Sequence, residues 1–404
     1  MNKSMNEVKN HFLGNSLEAM DYIELENRYG LSIYPKRNCV IVKGSGARVV
    51  DSTGREYIDC VGGHGVASVG HANQMVIDAI MEQVERLMVC SGTFYNDKRA
   101  LLMEKLVGLA PSTIKRVYLC NSGAEAIEAA IKFARFSTGK KEFICASRGF
   151  HGRTMGALSA THNPTYKEEF QPLVPGFHFV PFNKIIELQT AVETHPDIAG
   201  IILEPVQGEG GVNIGNADYF KQVRELCFRK NILFIVDEVQ TGFCRTGKMF
   251  GIEHFDVEPD MMCFAKAVAG GIPMGGVLCS DKIEMVPGKH GSTFGGNPLS
   301  CAAALGAIKF MQEQRLDVQA AEKGEFLLCK LNEISSPRIR DIRGMGLMIG
   351  IELKEKVKPV IEELLNRGIL TLPSGTTVLR LLPPLVIEYK DLEIVINEIK
   401  DVLK

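Results

Sequence analysis

The chain has 404 residues, of which 45% are hydrophobic and 23% are charged, and these proportions are ordinary for a folded globular protein. Its 46 lysines and arginines nearly balance its 48 aspartates and glutamates, so the net charge of −2 gives no indication of nucleic-acid binding. No apolar run approaches the roughly 20 residues that a membrane span needs, and the N-terminal residues lack a signal-peptide pattern. Eleven scattered cysteines without a CxxC motif favour reduced thiols in the cytoplasm over a disulfide framework or a zinc site.

The pattern of apolar residues changes along the chain and predicts three structural regions. Residues 1–60 predict an N-terminal arm followed by short strands of a small domain, with turns at Lys43–Ala47 and Asp51–Gly54. Residues 61–298 predict a large domain, because short apolar runs alternate there with longer helical patterns, as in a mostly parallel sheet covered by helices on both faces. The predicted elements of this region are strands at Arg116–Cys120, Glu142–Ala146, Ala199–Leu203, Ile232–Asp237 and Met261–Ala265, and helices at Ala124–Arg135 and Tyr219–Arg229.

Residues 299–404 predict a second, smaller α+β domain, so the expected fold class is α/β with a large and a small domain. The predicted elements of this region are helices at Leu299–Gln312, Val318–Asn332, Val357–Arg367 and Tyr389–Leu403, and strands at Met345–Leu353 and Thr377–Leu382.

Two polar segments are candidates for binding a phosphate group. Asn121–Glu125 follows a predicted strand and opens a helix, so its Ser-Gly turn exposes backbone N–H groups at the positive end of that helix. A plain turn with an N-cap residue explains this segment equally well. Gly291–Pro298 offers hydroxyls and glycine amides that could complete the phosphate site, and a simple loop is the alternative. No P-loop motif occurs in the chain.

Two charged residues also end buried strands, where ligands of open α/β sheets bind. Asp237 could hold a protonated ring nitrogen, orient a base or bind a metal, although no second ligand lies nearby at a suitable spacing. It could also be a helix cap or half of a salt bridge. Lys266 stands between an apolar strand and a Gly-rich turn, where desolvation would make its amine nucleophilic, although most lysines are solvated surface charges. A phosphate seat, a carboxylate and a lysine amine are together what pyridoxal phosphate requires.

The set of motifs resembles the class III (ω-amino-acid) aminotransferases of the fold-type-I pyridoxal-phosphate group. The resemblance covers nearly the whole chain and implies a mostly parallel seven-stranded sheet, pyridoxal 5′-phosphate as cofactor, transamination as the activity and a homodimer. The matching segments are Asn121–Ala126, Phe150–Thr154, Glu204–Gly211, Asp237–Gly242, Ala265–Ala267 and Thr293–Pro298.

The resemblance also implies a role for each matching position. Lys266 would join the cofactor's aldehyde and later move the reacting proton, while Asp237 would bind the pyridine nitrogen. The other implied cofactor contacts are Gln240 at the phenolic oxygen, Phe150 and Val239 on the ring faces, Ser122, Gly123 and Ala124 at the phosphate, and Thr293 reaching the phosphate from a second subunit. No metal site is expected.

Four further positions are implied on the substrate side. Arg380 would grip the α-carboxylate of glutamate or 2-oxoglutarate, and Glu209 would pair with this arginine when an ω-amine substrate enters. Arg153 would take the second carboxylate, because guanidinium groups bind carboxylates in a two-pronged geometry, and Ser292 is expected beside the substrate. For Arg380 an ordinary ion pair at a strand end is the alternative. The combination resembles the acetylornithine/ornithine branch of the family.

Within that branch, three segments are similar to aminotransferases of carrier-linked lysine biosynthesis: Tyr57–Val66, Arg343–Met348 and Leu382–Glu388. This resemblance implies glutamate/2-oxoglutarate as one substrate pair. It implies carrier-bound aminoadipate (or glutamate) semialdehyde and carrier-bound lysine (or ornithine) as the other, with an acidic carrier protein as partner. A basic rim at Lys36, Arg37, Lys98 and Arg99 is expected to attract that carrier. The alternatives are an acetylornithine aminotransferase, a pyridoxal-phosphate isomerase or racemase, and a noncatalytic binding protein.

Overall fold

The computed structural model describes residues 21–404, so the first 20 residues of the predicted arm lie outside the described residues. Residues 21–43 and 49–56 form one unit, which contains helix α1 and most of the first two strands. Residues 44–48 and 57–404 form a second unit, which contains all the predicted site residues. Among residues 21–404, no helix has both the length and the hydrophobicity that crossing a membrane requires.

The helices and strands of the described residues follow in chain order. The helices are α1 (Tyr22–Tyr29), α2 (Gly62–Gly65), α3 (Gln74–Val84), α4 (Asp97–Leu109), α5 (Gly123–Thr138), α6 (Met155–Ala160), α7 (Ile185–Thr194), α8 (Ala217–Lys230), α9 (Pro298–Glu313), α10 (Leu316–Asn332), α11 (Lys358–Asn366) and α12 (Tyr389–Val402). The strands are β1 (Ile41–Ser45), β2 (Arg48–Asp51), β3 (Glu56–Asp59), β4 (Ile114–Cys120), β5 (Glu142–Ala146), β6 (Phe177–Val180), β7 (Ile198–Leu203), β8 (Val206–Gln207), β9 (Asn213–Ile214), β10 (Leu233–Asp237), β11 (Met261–Phe264), β12 (Gly275–Ser280), β13 (Ile339–Met345), β14 (Met348–Leu353), β15 (Ile369–Leu370), β16 (Leu372–Ser374) and β17 (Val378–Leu381).

The central feature is a seven-stranded sheet with the order β4-β12-β11-β10-β7-β5-β6. Strand β12 runs antiparallel to both of its neighbours, and the other six strands are parallel to one another. The expectation of a mostly parallel seven-stranded sheet is therefore confirmed. The five strands predicted in this region are all present, whereas β6 and β12 were not predicted.

Both faces of this sheet are buried, as the continuous apolar runs predict. In β10, Leu233 and Ile235 belong to one hydrophobic cluster, which also contains the inward face of α5. Phe234 and Val236 belong to a second, larger cluster. Successive side chains of a strand point to opposite faces, so a strand covered on both faces is apolar at every position. Polar groups are thereby confined to the strand ends, where the site lies.

The C-terminal residues contain a four-stranded antiparallel sheet with the order β13-β14-β17-β16. The strand predicted over Met345–Leu353 is confirmed as β14 (Met348–Leu353), but its predicted start is wrong, because the chain reverses between β13 and β14. Gly346 occupies the turn with a φ of +54°, and a Cβ atom there would lie 2.4 Å from the backbone carbon of Thr246. The turn therefore requires glycine in both its conformation and its close approach to the neighbouring loop.

Candidate active site

Asp237 and Lys266 are brought to the same edge of the sheet because their strands are neighbours. Strands β10 and β11 pair in parallel with Asp237 opposite Cys263, and Lys266 follows β11 directly. A cavity of about 370 Å³ lies at these strand ends. Among the residues that line it are seven of the predicted cofactor contacts: Ser122, Gly123, Ala124, Phe150, Asp237, Val239 and Gln240. Lys266 and Glu209 line it as well.

The Asp237 carboxylate is buried and hydrogen-bonded on both oxygens. Its Oδ2 lies 2.7 Å from His151 Nδ1, and its Oδ1 accepts from the backbone N–H of Val239 at 3.0 Å. Burial lowers the pKa of His151, but the hydrogen bond and charge of Asp237, with the charge of Glu204, outweigh burial and raise it above its ordinary value. Nε2 of His151 has no hydrogen-bond partner among the described residues. The Asp237 carboxylate is therefore held on both oxygens, and Nε2 of its partner His151 is left available in the cavity.

The N-terminus of α5 forms the other end of the cavity. Ser122 caps this helix, with its Oγ accepting from the N–H of Glu125 at 3.2 Å, and the first N–H groups of a helix have no acceptor within it. A Cβ atom at Gly123 would lie 2.7 Å from Cγ1 of Val239, so only glycine fits at this point. The open N–H groups and the helix dipole together favour an anion such as phosphate.

Lys266 has a backbone conformation that is uncommon for a lysine, with a φ of +48°. It opens a single 3₁₀ turn after β11, and strain of this kind is tolerated where the surroundings over-determine the position. Burial, reinforced by the positive charge of Arg380, lowers the pKa of the Lys266 amine, and nearby carboxylates oppose this shift. A lowered pKa leaves more of the amine in its nucleophilic, proton-accepting form.

Arg380 and Glu209 form an ion pair beside the amine. Nη2 of Arg380 lies 2.6 Å from Oε1 of Glu209, and Arg380 Nη1 donates to Gln240 Oε1 at 3.4 Å. The arginine is fully buried, and its Nε has no hydrogen-bond partner among residues 21–404. Burial raises the pKa of Glu209, but the charge and hydrogen bond of Arg380 outweigh burial and lower it. The carboxylate therefore stays ionised and neutralises the arginine.

Four predicted site residues are not among those that line the cavity: Arg380, which reaches it through Glu209 and Gln240, and three others. Arg153 is exposed, and its guanidinium lies over the ring of Tyr166 at 4.4 Å. Thr293 is exposed. Ser292 contacts the cavity indirectly, because its Oγ accepts a hydrogen bond from Nδ2 of Asn121 at 3.1 Å. Within one chain, Arg153, Ser292 and Thr293 therefore form no part of the cavity wall.

His151 and Glu204 were not predicted as site residues, although both lie in segments that carry the resemblance. Glu204 is buried at the end of β7, and it accepts from the N–H of Phe150 at 3.1 Å. Burial is the main cause that raises the pKa of Glu204 to about 8. An aspartate and a glutamate at adjacent strand ends are a usable signal, since two nearby carboxylates in one buried site cannot both ionise freely.

The raised pKa of Glu204 predicts a pH-dependent stability of the cofactor-free protein. The folded-state pKa of about 8 exceeds the ordinary value of 4.5, so this stabilising contribution is fully present below pH 4.5 and is lost as pH rises through 8. We expect the wild-type melting temperature to fall between pH 6 and pH 9 more steeply than that of Glu204→Gln. Thermal unfolding of both proteins across this range is the measurement, and two parallel curves would contradict the assignment.

Comparison with known proteins relates this geometry to a family. The Aminotransferase class-III family matches residues 33–403. The chain is 46% identical to a [LysW]-aminoadipate semialdehyde transaminase of Deinococcus radiodurans over 395 residues, which cover 96% of this chain and 92% of the relative. It is 43% identical to an acetylornithine aminotransferase of Methanocaldococcus jannaschii over 392 residues, covering 95% and 98% of the two chains.

A solved structure shares the fold over the full length. The ornithine aminotransferase of Toxoplasma gondii, which was described with partial occupancy of pyridoxal phosphate at its active site, is similar with a TM-score of 0.92. The two chains are 33% identical, and the similarity covers 100% of this chain and 98% of the other.

The residues of the cavity suit the cofactor of this family. A phosphate matches the capped helix end at Ser122 and Gly123, a protonated ring nitrogen matches the buried Asp237, and an aldehyde matches the Lys266 amine. In each case the protein group is chemically complementary to the cofactor group, and the three protein groups line one cavity. The chain belongs to the class III aminotransferases and is a transaminase that uses pyridoxal 5′-phosphate.

Proposed function

We propose that this aminotransferase converts carrier-bound 2-aminoadipate semialdehyde (or glutamate semialdehyde) to carrier-bound lysine (or ornithine), with glutamate as the amino donor. This reaction would serve lysine biosynthesis and, through the parallel ornithine route, arginine biosynthesis. The observation that carries the proposal is the Glu209–Arg380 ion pair beside Lys266, because it lets one cavity accept two unlike substrates. Similarity to the Deinococcus radiodurans enzyme supports the carrier-bound form.

When bound, pyridoxal phosphate supplies an aldehyde that accepts the amino group and a ring that withdraws electrons from the reacting carbon. The chain's own residues then determine where charges and protons go. Asp237, fixed by His151 and by the N–H of Val239, would keep the ring nitrogen protonated. The Lys266 amine, with its lowered pKa, would take the proton from the substrate carbon and return it.

The Glu209–Arg380 ion pair would have a different state in each of the two half-reactions. Glutamate brings an α-carboxylate that would compete with Glu209 for Arg380, so Glu209 would release the guanidinium to bind it in a two-pronged geometry. An ω-amine substrate brings an uncharged chain to the same place. Glu209 would then stay paired with Arg380 at 2.6 Å and mask its charge. Arg153, at the exposed margin of the site, would bind the second carboxylate.

We also propose domain boundaries, a homodimer and a cellular location for the protein. The boundaries at residues 60 and 298 would separate a large cofactor domain from small-domain segments, and β3 pairs with β15 in parallel across that division. A homodimer would place Thr293 at the phosphate of a second subunit, and its neighbour Phe294 is an apolar side chain with 58% exposure.

The eleven cysteines are all free, which supports the reducing cytoplasm as location.

The identity of the amino substrate is the point to test. We expect kcat/KM for carrier-bound lysine, with 2-oxoglutarate as acceptor, to exceed that for free acetylornithine by at least about tenfold, because the carrier adds contacts. Initial rates of glutamate formation with each substrate measure this ratio. A ratio below one would favour the second candidate, an acetylornithine aminotransferase, for which similarity to the Methanocaldococcus jannaschii enzyme is the supporting observation.

A further inference from the structure

A second cavity, of about 430 Å³, adjoins the first and shares Phe150 and Glu209 with it. We call it the outer groove, and it is defined here by Arg148, His162, Tyr166, Arg340, Arg343 and Ser374. None of the residues predicted from the sequence to bind substrate defines this groove apart from the shared Glu209. Because Glu209 lines both cavities, a substrate whose reacting end lies at Lys266 has room to extend past Glu209 into the outer groove.

The charges of the outer groove are not balanced. Its two acidic lining residues are already paired, Glu209 with Arg380 and Glu352 with Arg343 at 2.8 Å. The Arg343 guanidinium is committed further, because it donates to the carbonyl of Gly211 at 2.6 Å. These groups give the wall a fixed shape, and they leave no free negative charge among its described residues.

Two arginines of the groove remain available to a ligand. Arg148 is exposed, and its guanidinium has no hydrogen-bond or ion-pair partner among the described residues. Arg340 is 57% exposed and has a single ion pair, with Glu352 at 3.1 Å. Guanidinium groups in these conditions bind carboxylates in a two-pronged geometry at little cost in desolvation.

The pKa of His162 is affected by the positive charges near this wall of the groove. The backbone N–H of His162 donates to the carbonyl of Gly149 at 3.0 Å, and Gly149 follows Arg148 in the chain. Burial lowers the pKa of the imidazole, and the charges of Lys167 and Arg148 lower it further. The lowered pKa disfavours a charged imidazole, so the positive charge in this part of the groove belongs to Arg148.

We propose that the outer groove binds a carboxylate carried by an acyl group on the α-amine of the amino substrate, as at the end of an acidic carrier. The inference rests on the proposed function, since a substrate that is joined to its carrier through the α-amine has that amine acylated. One residue of the basic rim expected from the sequence is not available for this role. Arg99 is 9% exposed and donates to the carbonyls of Gly296, Phe94 and Cys90, so it is not available to a partner.

The experiment compares two lysine derivatives that differ only in one charge. Nα-glutaryl-lysine ends in a carboxylate, and its terminal amide is the neutral analogue of the same length and shape. With the holoenzyme we expect kcat/KM to favour the carboxylate by about fivefold, and this preference should shrink in high salt, which screens exposed charges. In the double variant Arg148→Gln/Arg340→Gln, we expect the ratio to fall toward one.

Arg116→Gln is the matched control, because Arg116 is a similarly exposed arginine, 68% accessible, that pairs with Asp281 outside the groove. Its ratio should equal that of the wild type. A wild-type ratio of one, or an equal ratio in the double variant, would overturn the groove proposal. If the ratio behaves as expected but carrier-bound lysine is not a substrate, the proposed function fails and the groove remains an anion site.

Discussion

Replacing Lys266 with alanine is expected to lower the turnover number for transamination by about 10²–10⁴-fold, the range that a positioned acid–base group contributes. The loss follows from the geometry, because Lys266 is the only lysine among the described residues that line the cavity with Asp237. Steady-state rates with glutamate and 2-oxoglutarate as one substrate pair measure the effect. Borohydride reduction of the wild-type holoenzyme, followed by peptide mass analysis, should place the cofactor on Lys266.

Lys323 provides the matched control for this experiment. It is also a buried lysine, with 6% exposure, but it donates to the carbonyl of Leu385 and to Gln319, outside the cavity. Burial lowers its pKa as well, so a lowered pKa alone does not distinguish the two lysines. We expect Lys323→Met to be less stable but to retain the cofactor on Lys266. Near-normal turnover of Lys266→Ala, or a label on another lysine, would refute the assignment.

Replacing Arg380 with alanine is expected to affect the two half-reactions unequally. Removing one partner of a buried charge pair costs about 2–5 kcal/mol, so kcat/KM for glutamate should fall by about 10²–10³-fold. The ω-amine half-reaction should lose less than about tenfold, because its substrate makes no ion pair with the arginine. Single-turnover absorbance changes with glutamate alone, and with the ω-amine substrate alone, separate the two effects.

Glu209→Gln is the complementary variant, and it should produce the opposite pattern. Without the carboxylate, the buried charge of Arg380 is no longer neutralised when an uncharged chain enters. We therefore expect the ω-amine half-reaction to be weakened more than the glutamate half-reaction. Equal losses in both half-reactions for either variant would show that the ion pair does not separate the two substrates.

Much of the fold follows from local sequence patterns. The five predicted strands of the large sheet lie within a residue or two of their observed limits, because a strand buried on both faces is apolar throughout. The strand predicted over Met345–Leu353 shows what local patterns do not predict, because its observed start is Met348. An apolar run interrupted by one glycine has the same pattern as a continuous strand, and the reversal at Gly346 depends on a close approach to the loop at Thr246.

Local sequence patterns likewise identify some residues of the site and miss others. Asp237 and Lys266 are identifiable because each charged residue ends an apolar run, and this local contrast is visible without any knowledge of strand order. The role of His151 is not visible in this way, because its 2.7 Å contact with Asp237 joins two segments that are remote in sequence. Likewise, Arg99 was expected at a basic rim, but it is buried against three carbonyl groups.

The sequence by itself determined which chemical groups are present, which elements carry them and which family the chain resembles. Only the tertiary structure decided which groups are partners: Arg380 neutralised by Glu209, Asp237 held by His151, and Arg148 left unpaired in the outer groove. The physical reason is that helices and strands form from short-range periodicity, whereas a charge is paired, buried or free according to segments that packing brings from elsewhere in the chain.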